Sequence, residues 1–127
     1  MSIALNHTIV ASRDQRAGAE FLASILGLTV GARYGPFLPV ELSNGVTLDY
    51  LEESGPIASQ HYAFLVSEEE FDAIFGRIQA AGVPYAADPH HRERGEINHH
   101  DGGRGVYFLD PDGHNLEIIT RPYGSGG

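Results

Sequence analysis

The stretch Gln60-His61-Tyr62-Ala63-Phe64-Leu65-Val66-Ser67 repeats the character and order of an earlier one, Leu5-Asn6-His7-Thr8-Ile9-Val10-Ala11-Ser12. Each is a short, strand-like apolar run that carries a histidine near its start and ends at a serine. In a strand, alternate side chains share a face, so Leu5, His7 and Ile9 group together, as do His61, Ala63 and Leu65. A helical pattern follows each serine. Ser12-Arg13-Asp14-Gln15 reads as a capping box, with Phe21, Leu22, Ile25 and Leu26 on one apolar face and Gly27 as the stop. Ser67-Glu68-Glu69-Glu70 reads as a second box, with Phe71, Ile74, Phe75 and Ile78 on one face, ended by Gly82 with Pro84 soon after.

Working outward, short strand-like runs cover 3–11, 29–34, 37–42, 46–51, 61–66, 83–86, 105–109 and 115–120. Turn residues separate them, among them Asn44-Gly45, Ser54-Gly55-Pro56 and Asp110-Pro111-Asp112-Gly113. The order is β-α-β-β-β, then the same again, and the two histidines stand 61 − 7 = 54 residues apart. This predicts an internal duplication rather than a solenoid. One half is too small to cover both faces of its own sheet. Two halves facing each other would form a cleft with the helices outside. The expected fold is α+β: two βαβββ modules forming an open, mostly antiparallel barrel-like cleft. A single domain is expected over 1–123, with modules at about 1–56 and 57–123, followed by a flexible tail at 124–127.

The composition narrows the function. Eight basic residues face seventeen acidic ones, for a net charge of −9, which argues against nucleic-acid binding. The absence of cysteine removes disulfides, thiolate metal sites and cysteine nucleophiles. The N-terminus has no signal-peptide character and the most apolar stretch is too short to span a bilayer, so a cytoplasmic location and no membrane partner are expected. Segment 88–104, polar and glycine-rich, fits no regular element and holds four of the seven histidines.

Three residues are candidates for metal binding. His7 and His61 occupy matching places in the two opening strands. Glu117 interrupts the apolar run Leu116, Ile118, Ile119, where a carboxylate is costly to bury without a partner. Two imidazoles and a carboxylate make a facial ligand set with open positions, suited to a substrate bearing two adjacent oxygens. The bland alternatives are histidines satisfied by hydrogen bonds in a core and a glutamate facing water. The turn at 110–113 predicts a hairpin that sets Tyr107 opposite Glu117. His90 and His91 read as solvated loop residues, His114 as facing away from the metal, and Arg104 as an exposed loop residue or an anion anchor.

Together, LNHTIVAS (5–12), QHYAFLVS (60–67) and GVYFLDPDGHNLEIIT (105–120) resemble the three ligand-bearing strands of the vicinal oxygen chelate superfamily. That group includes glyoxalase I, the fosfomycin and bleomycin resistance proteins and the type I extradiol dioxygenases. The resemblance implies that His7, His61 and Glu117 hold a divalent metal and that the chain is a homodimer. The series Asn98-His99-His100, Val106-Tyr107, Asp110-Pro111, Gly113 and Glu117 resembles the extradiol ring-cleavage signature. It implies an acid/base role for His100, with His99 as its alternative, and a hydrogen-bonding role for Tyr107. Asp49 is the nearest match to the fourth, acidic ligand of glyoxalase I, although Thr47 competes for that place.

The leading expectation is an Fe(II) oxygenase that acts with O₂ on a catechol-like or other vicinal-oxygen small molecule. One alternative is a glyoxalase-type lyase or isomerase using Mn, Zn, Ni or Co. Another is a metal-free drug- or metabolite-binding protein. Fosfomycin modification is disfavoured, because no basic cluster suits a phosphonate and Thr8 directly follows His7 instead of lying one residue further on.

Overall fold

The computed structural model describes residues 2–126 as two compact units, divided between Ala58 and Ser59. In the first, β1 (His7–Ser12) leads into α1 (Gln15–Leu26), then β2 (Phe37–Glu41) and β3 (Thr47–Glu52). The sheet order is β1-β3-β2, with β1 parallel and β2 antiparallel to β3. In the second, β4 (His61–Leu65) leads into α2 (Glu68–Ala80), then β5 (Tyr85–Ala86), β6 (Gly105–Leu109) and β7 (Asn115–Ile119). Its order is β4-β7-β6-β5, with β4 parallel to β7 and the other pairs antiparallel. This is the expected α+β duplication, and neither sheet closes on itself.

The helix starts differ in one respect from the sequence pattern. Ser67 and Glu70 form the reciprocal capping box, with both bonds made. The first helix is instead capped by Asp14, whose Oδ1 accepts from Ala17 N–H at 3.1 Å. Ser12 is the last residue of β1 and donates its hydroxyl to the Asp14 carbonyl. A short Asp next to the first turn out-competes a serine two residues earlier. Gly27 ends α1 in the left-handed conformation, as expected (φ 76).

The run 29–34 forms only isolated bridges, Val30 to Val40 and Tyr34 to Phe37. Pro39 explains this. Its carbonyl accepts from Gly31 N–H at 2.8 Å, so its nitrogen faces the same neighbour. With no N–H it cannot return the bond, and the ladder fails there.

Each sheet buries one face under its apolar layer and leaves the other open. In the first unit Val10, Leu38, Val40, Leu48 and Tyr50 are buried together with Ala19, Leu22 and Ile25 of α1. In the second, Phe64, Val106, Phe108, Leu116 and Ile118 are buried together with Phe71, Ile74 and Ile78 of α2. Each such side chain contributes about 2 kcal/mol. The alternate residues of β4, β6 and β7, including His61, Leu65, Tyr107 and Glu117, lie on the less buried face. The strand period therefore separates core from site.

Ser67→Ala should lower stability by about 1 kcal/mol through loss of the cap. A urea unfolding midpoint that does not move would contradict this role for the box.

Candidate metal and substrate site

The open face of the second unit gathers the polar residues of three strands. The register pairs His61 with Asn115, Ala63 with Glu117, and Tyr107 with Glu117. The hairpin register that aligns Tyr107 and Glu117 is set by Asp110. Its Oδ1 accepts from the backbone N–H of Asp112 at 2.9 Å and of His114 at 2.8 Å. Its Oδ2 is buried without a hydrogen-bond partner among the described residues, and burial lifts this carboxyl above the usual range. Gly113, at φ 85, completes the reversal in a conformation that other residues resist.

His61 is held at both nitrogens. The Asn115 carbonyl lies 2.9 Å from Nδ1, and a carbonyl can only accept, so Nδ1 carries a proton. Nε2 then faces Glu117 Oε1 at 3.1 Å. Two partners fit between those atoms: a proton on Nε2, or a cation taking both lone pairs. Two donor atoms each about 2.1 Å from a cation and at right angles lie about 3.0 Å apart, which matches the pair. A histidine with Nδ1–H fixed on a carbonyl is also the usual posture of a metal ligand. The His61–Glu117 pair therefore fits as two ligands of a metal site. Among the described residues no group of three or more His, Cys, Asp or Glu stands close enough to hold a metal ion.

Tyr107 stacks on the His61 ring, with centroids 5.9 Å apart and planes 25° from parallel. Burial, then the neighbouring Glu117 charge, pushes its phenol up to about 12. It is a proton-bearing donor throughout the neutral range.

These groups line a cavity of about 440 Å³ together with His100, Asp101, Arg121 and Tyr123. His100 opens a short 3₁₀ turn at His100–Gly102 and lines the cavity, whereas His99, also exposed, does not contribute to that lining. His7 lies at the exposed start of β1, with Nδ1 2.7 Å from Asn6 Oδ1. Asp49 pairs with Ile9 in the first sheet as Glu117 pairs with Ala63 in the second. Asp49, rather than Thr47, thus holds the register place that matches Glu117.

Several residues depart from the sequence expectations. His91 is half-buried instead of solvated and donates Nε2–H to Asn115 Oδ1 at 2.8 Å, while Asn115 Nδ2 donates to the Pro89 carbonyl. His91 takes a left-handed backbone (φ 55) to make this contact. Segment 88–104 therefore buttresses the residue whose carbonyl orients His61. Asn115 was legible only as a strand residue, because its role depends on a loop 24 residues away. His114 is buried, and its Nδ1 accepts from Gln60 N–H on the side away from the site. Arg104 is committed to α2. It reaches Glu68 and Asp72 at 2.8 Å each and lies 4.3 Å from the Phe71 ring centroid. It is not available as an anion anchor. The tail expected to be flexible is tied down, with Gly124 and Gly126 N–H groups donating to the two Asp101 carboxylate oxygens. Gly127 lies outside the described residues.

The family model of the glyoxalase/bleomycin resistance protein/dioxygenase superfamily matches residues 4–118. The chain belongs to this superfamily. Among solved structures, Oxidase ChaP-H2 is 68% identical over the whole of both chains, with a TM-score of 0.97. Oxidase ChaP-H1 is 58% identical, over 97% of this chain and 99% of its own, with a TM-score of 0.94. Glutathione transferase FosA of Serratia marcescens is 34% identical over 120 residues, 90% of this chain and 78% of the relative. The relatives named here thus carry the names of two different reactions, an oxidase and a transferase. No described helix is long and apolar enough to cross a membrane.

From pH 6 to 10 the Tyr107 ring carbon signal in NMR should not titrate, because its phenol ionises only near 12. A midpoint at or below the ordinary tyrosine value, about 10, would remove the phenol-donor assignment.

Proposed function

We propose that this chain is a metal-dependent oxidase of the superfamily, which uses O₂ and a redox-active divalent metal, Fe(II) in the first instance, on a catechol-like or other vicinal-oxygen compound. What carries this is the His61–Glu117 pair, set in a cavity with Tyr107 and His100. The chain's 68% identity to an oxidase supports the reaction class.

In this proposal His61 and Glu117 supply two metal ligands and His7 the third, within a homodimer. Asp49 is a further candidate ligand or substrate contact. When bound, the cation would supply Lewis acidity and one-electron chemistry. Tyr107, protonated and stacked on His61, donates its O–H to a substrate oxyanion. His100, at the cavity edge, accepts or returns the substrate hydroxyl proton, with His99 as its alternative. Asn115 and His91 keep the His61 ring in the posture that leaves Nε2 free for the metal.

A second reading, glutathione transfer to fosfomycin, is favoured by the 34% identity to the glutathione transferase FosA. Against it stands the lack of a basic cluster for a phosphonate: of the two arginines that line the cavity, Arg104 is already engaged by two carboxylates.

Three measurements test the proposal. Protein loaded anaerobically with Fe(II) should consume O₂ when given catechols or other vicinal diols. Consumption of fosfomycin and glutathione, without O₂ uptake, would instead establish the transferase. His7→Ala, His61→Ala and Glu117→Gln should each lower retained metal at least tenfold. Full metal retention in His7→Ala would remove it from the ligand set. Mixing His7→Ala with Glu117→Gln, after unfolding and refolding together, should restore metal to roughly a quarter of the sites if two chains share each one. No recovery would place all three ligands in one chain.

A further inference from the structure

We infer that Arg121 is the anion anchor of this cavity and Tyr123 its aromatic wall, so that the substrate is a planar aromatic bearing an acidic oxygen. This rests on the cavity being the substrate site, as proposed above. Arg121 and Tyr123 both line it. Arg104, the other arginine there, is held by Glu68 and Asp72. Among the described residues no hydrogen bond or ion pair engages Arg121, although the chain carries seventeen acidic side chains and a net charge of −9. In so acidic a protein, an anion approaches only where an unopposed cation offsets the general repulsion.

The position of Arg121 is built. A side-chain carbon at Gly103 would lie 2.8 Å from Arg121 Cγ and 2.5 Å from Thr120 Oγ1, so only glycine admits the arginine stem there. The guanidinium passes Gly102, itself left-handed at φ 78. Two acids share the cavity lining with Arg121, Glu117, which faces His61, and Asp101, a natural partner for a guanidinium. Both its oxygens are instead occupied, Oδ2 by Gly124 N–H at 2.9 Å and Oδ1 by Gly126 N–H at 3.0 Å. Asp101 adopts φ 58, a conformation that favours glycine or a short polar residue, to reach them. The C-terminal strap thus holds Asp101 on its own amides, and no ion pair joins Asp101 to Arg121 among the described residues, which leaves the guanidinium open to a ligand. The same strap carries Tyr123, 91% exposed, with no partner ring among the described contacts. An arginine fork beside an unstacked phenol ring suits a flat ring with a carboxylate or phenolate.

The test uses three probes on the full-length protein without added metal: 2-naphthoate, its neutral counterpart 2-naphthamide, and methylphosphonate. Calorimetric Kd values should place naphthoate about tenfold tighter than naphthamide, as one charge-assisted bidentate contact allows. In Arg121→Gln that ratio should fall to near one, and Arg121→Lys should restore part of it. Ending the chain after Tyr123 removes both Gly amides and should also collapse the ratio, because Asp101 then captures Arg121. Adding Asp101→Ala to the shortened chain should restore it. An unchanged ratio in Arg121→Gln overturns the anchor. An unchanged ratio in the shortened chain overturns the role of the strap. Methylphosphonate binding as tightly as naphthoate overturns the aromatic half of the inference. None of these readouts needs metal or O₂. A lost ratio in Arg121→Gln alongside no O₂ uptake would therefore keep the anchor and discard the oxidase, and the converse result would do the reverse.

Discussion

The imidazole of His61 is fixed from two sides, by the Asn115 carbonyl at Nδ1 and by the Glu117 carboxylate at Nε2. This brace depends on β4 lying parallel to β7 in a register that sets His61 beside Asn115 and Ala63 beside Glu117. A slip of one residue would turn Glu117 toward the buried layer, where an unpaired carboxylate is costly. The register of the neighbouring hairpin is held in turn by Asp110, which ties the turn with one oxygen. The site is thus a consequence of strand alignment, and a buried aspartate far from any chemistry helps to maintain that alignment.

Carboxylates do three different jobs around this cavity. Glu117 faces an imidazole across a cation-sized gap and adds its charge to the burial that keeps Tyr107 protonated. Glu68 and Asp72 immobilise Arg104 against the first turns of α2, where hydrogen bonds from Thr120 and Arg104 hold the Glu68 carboxyl below its ordinary range. Asp101 accepts two backbone amides from the strap. Each of these four acids is thus matched locally.

Short-range patterns carried most of the architecture. The Ser67 box, the Gly27 stop and the Asp-Pro-Asp-Gly turn involve residues within one or two turns of chain, so composition reveals them directly. The Tyr107–Glu117 pairing was legible for the same reason, since a tight hairpin admits few registers. The box assigned to Ser12 failed because Asp14, two residues on, caps better. The strand at 29–34 failed because Pro39 belongs to its partner, and a missing donor across a ladder leaves no mark on the run that loses it.

By itself the sequence determined the α+β duplication, the superfamily, and the matching places of His7 and His61 in the two opening strands. Periodicity and motif order are properties of the chain read locally. Only the tertiary structure decided that His91 supports Asn115, that Arg104 is engaged and Arg121 open, and that the tail occupies Asp101. Those facts depend on where long loops return, with partners 23 to 36 residues apart. Nothing in the spacing of two side chains along a polar loop fixes that path; hydrogen bonds formed after the sheets are in place do.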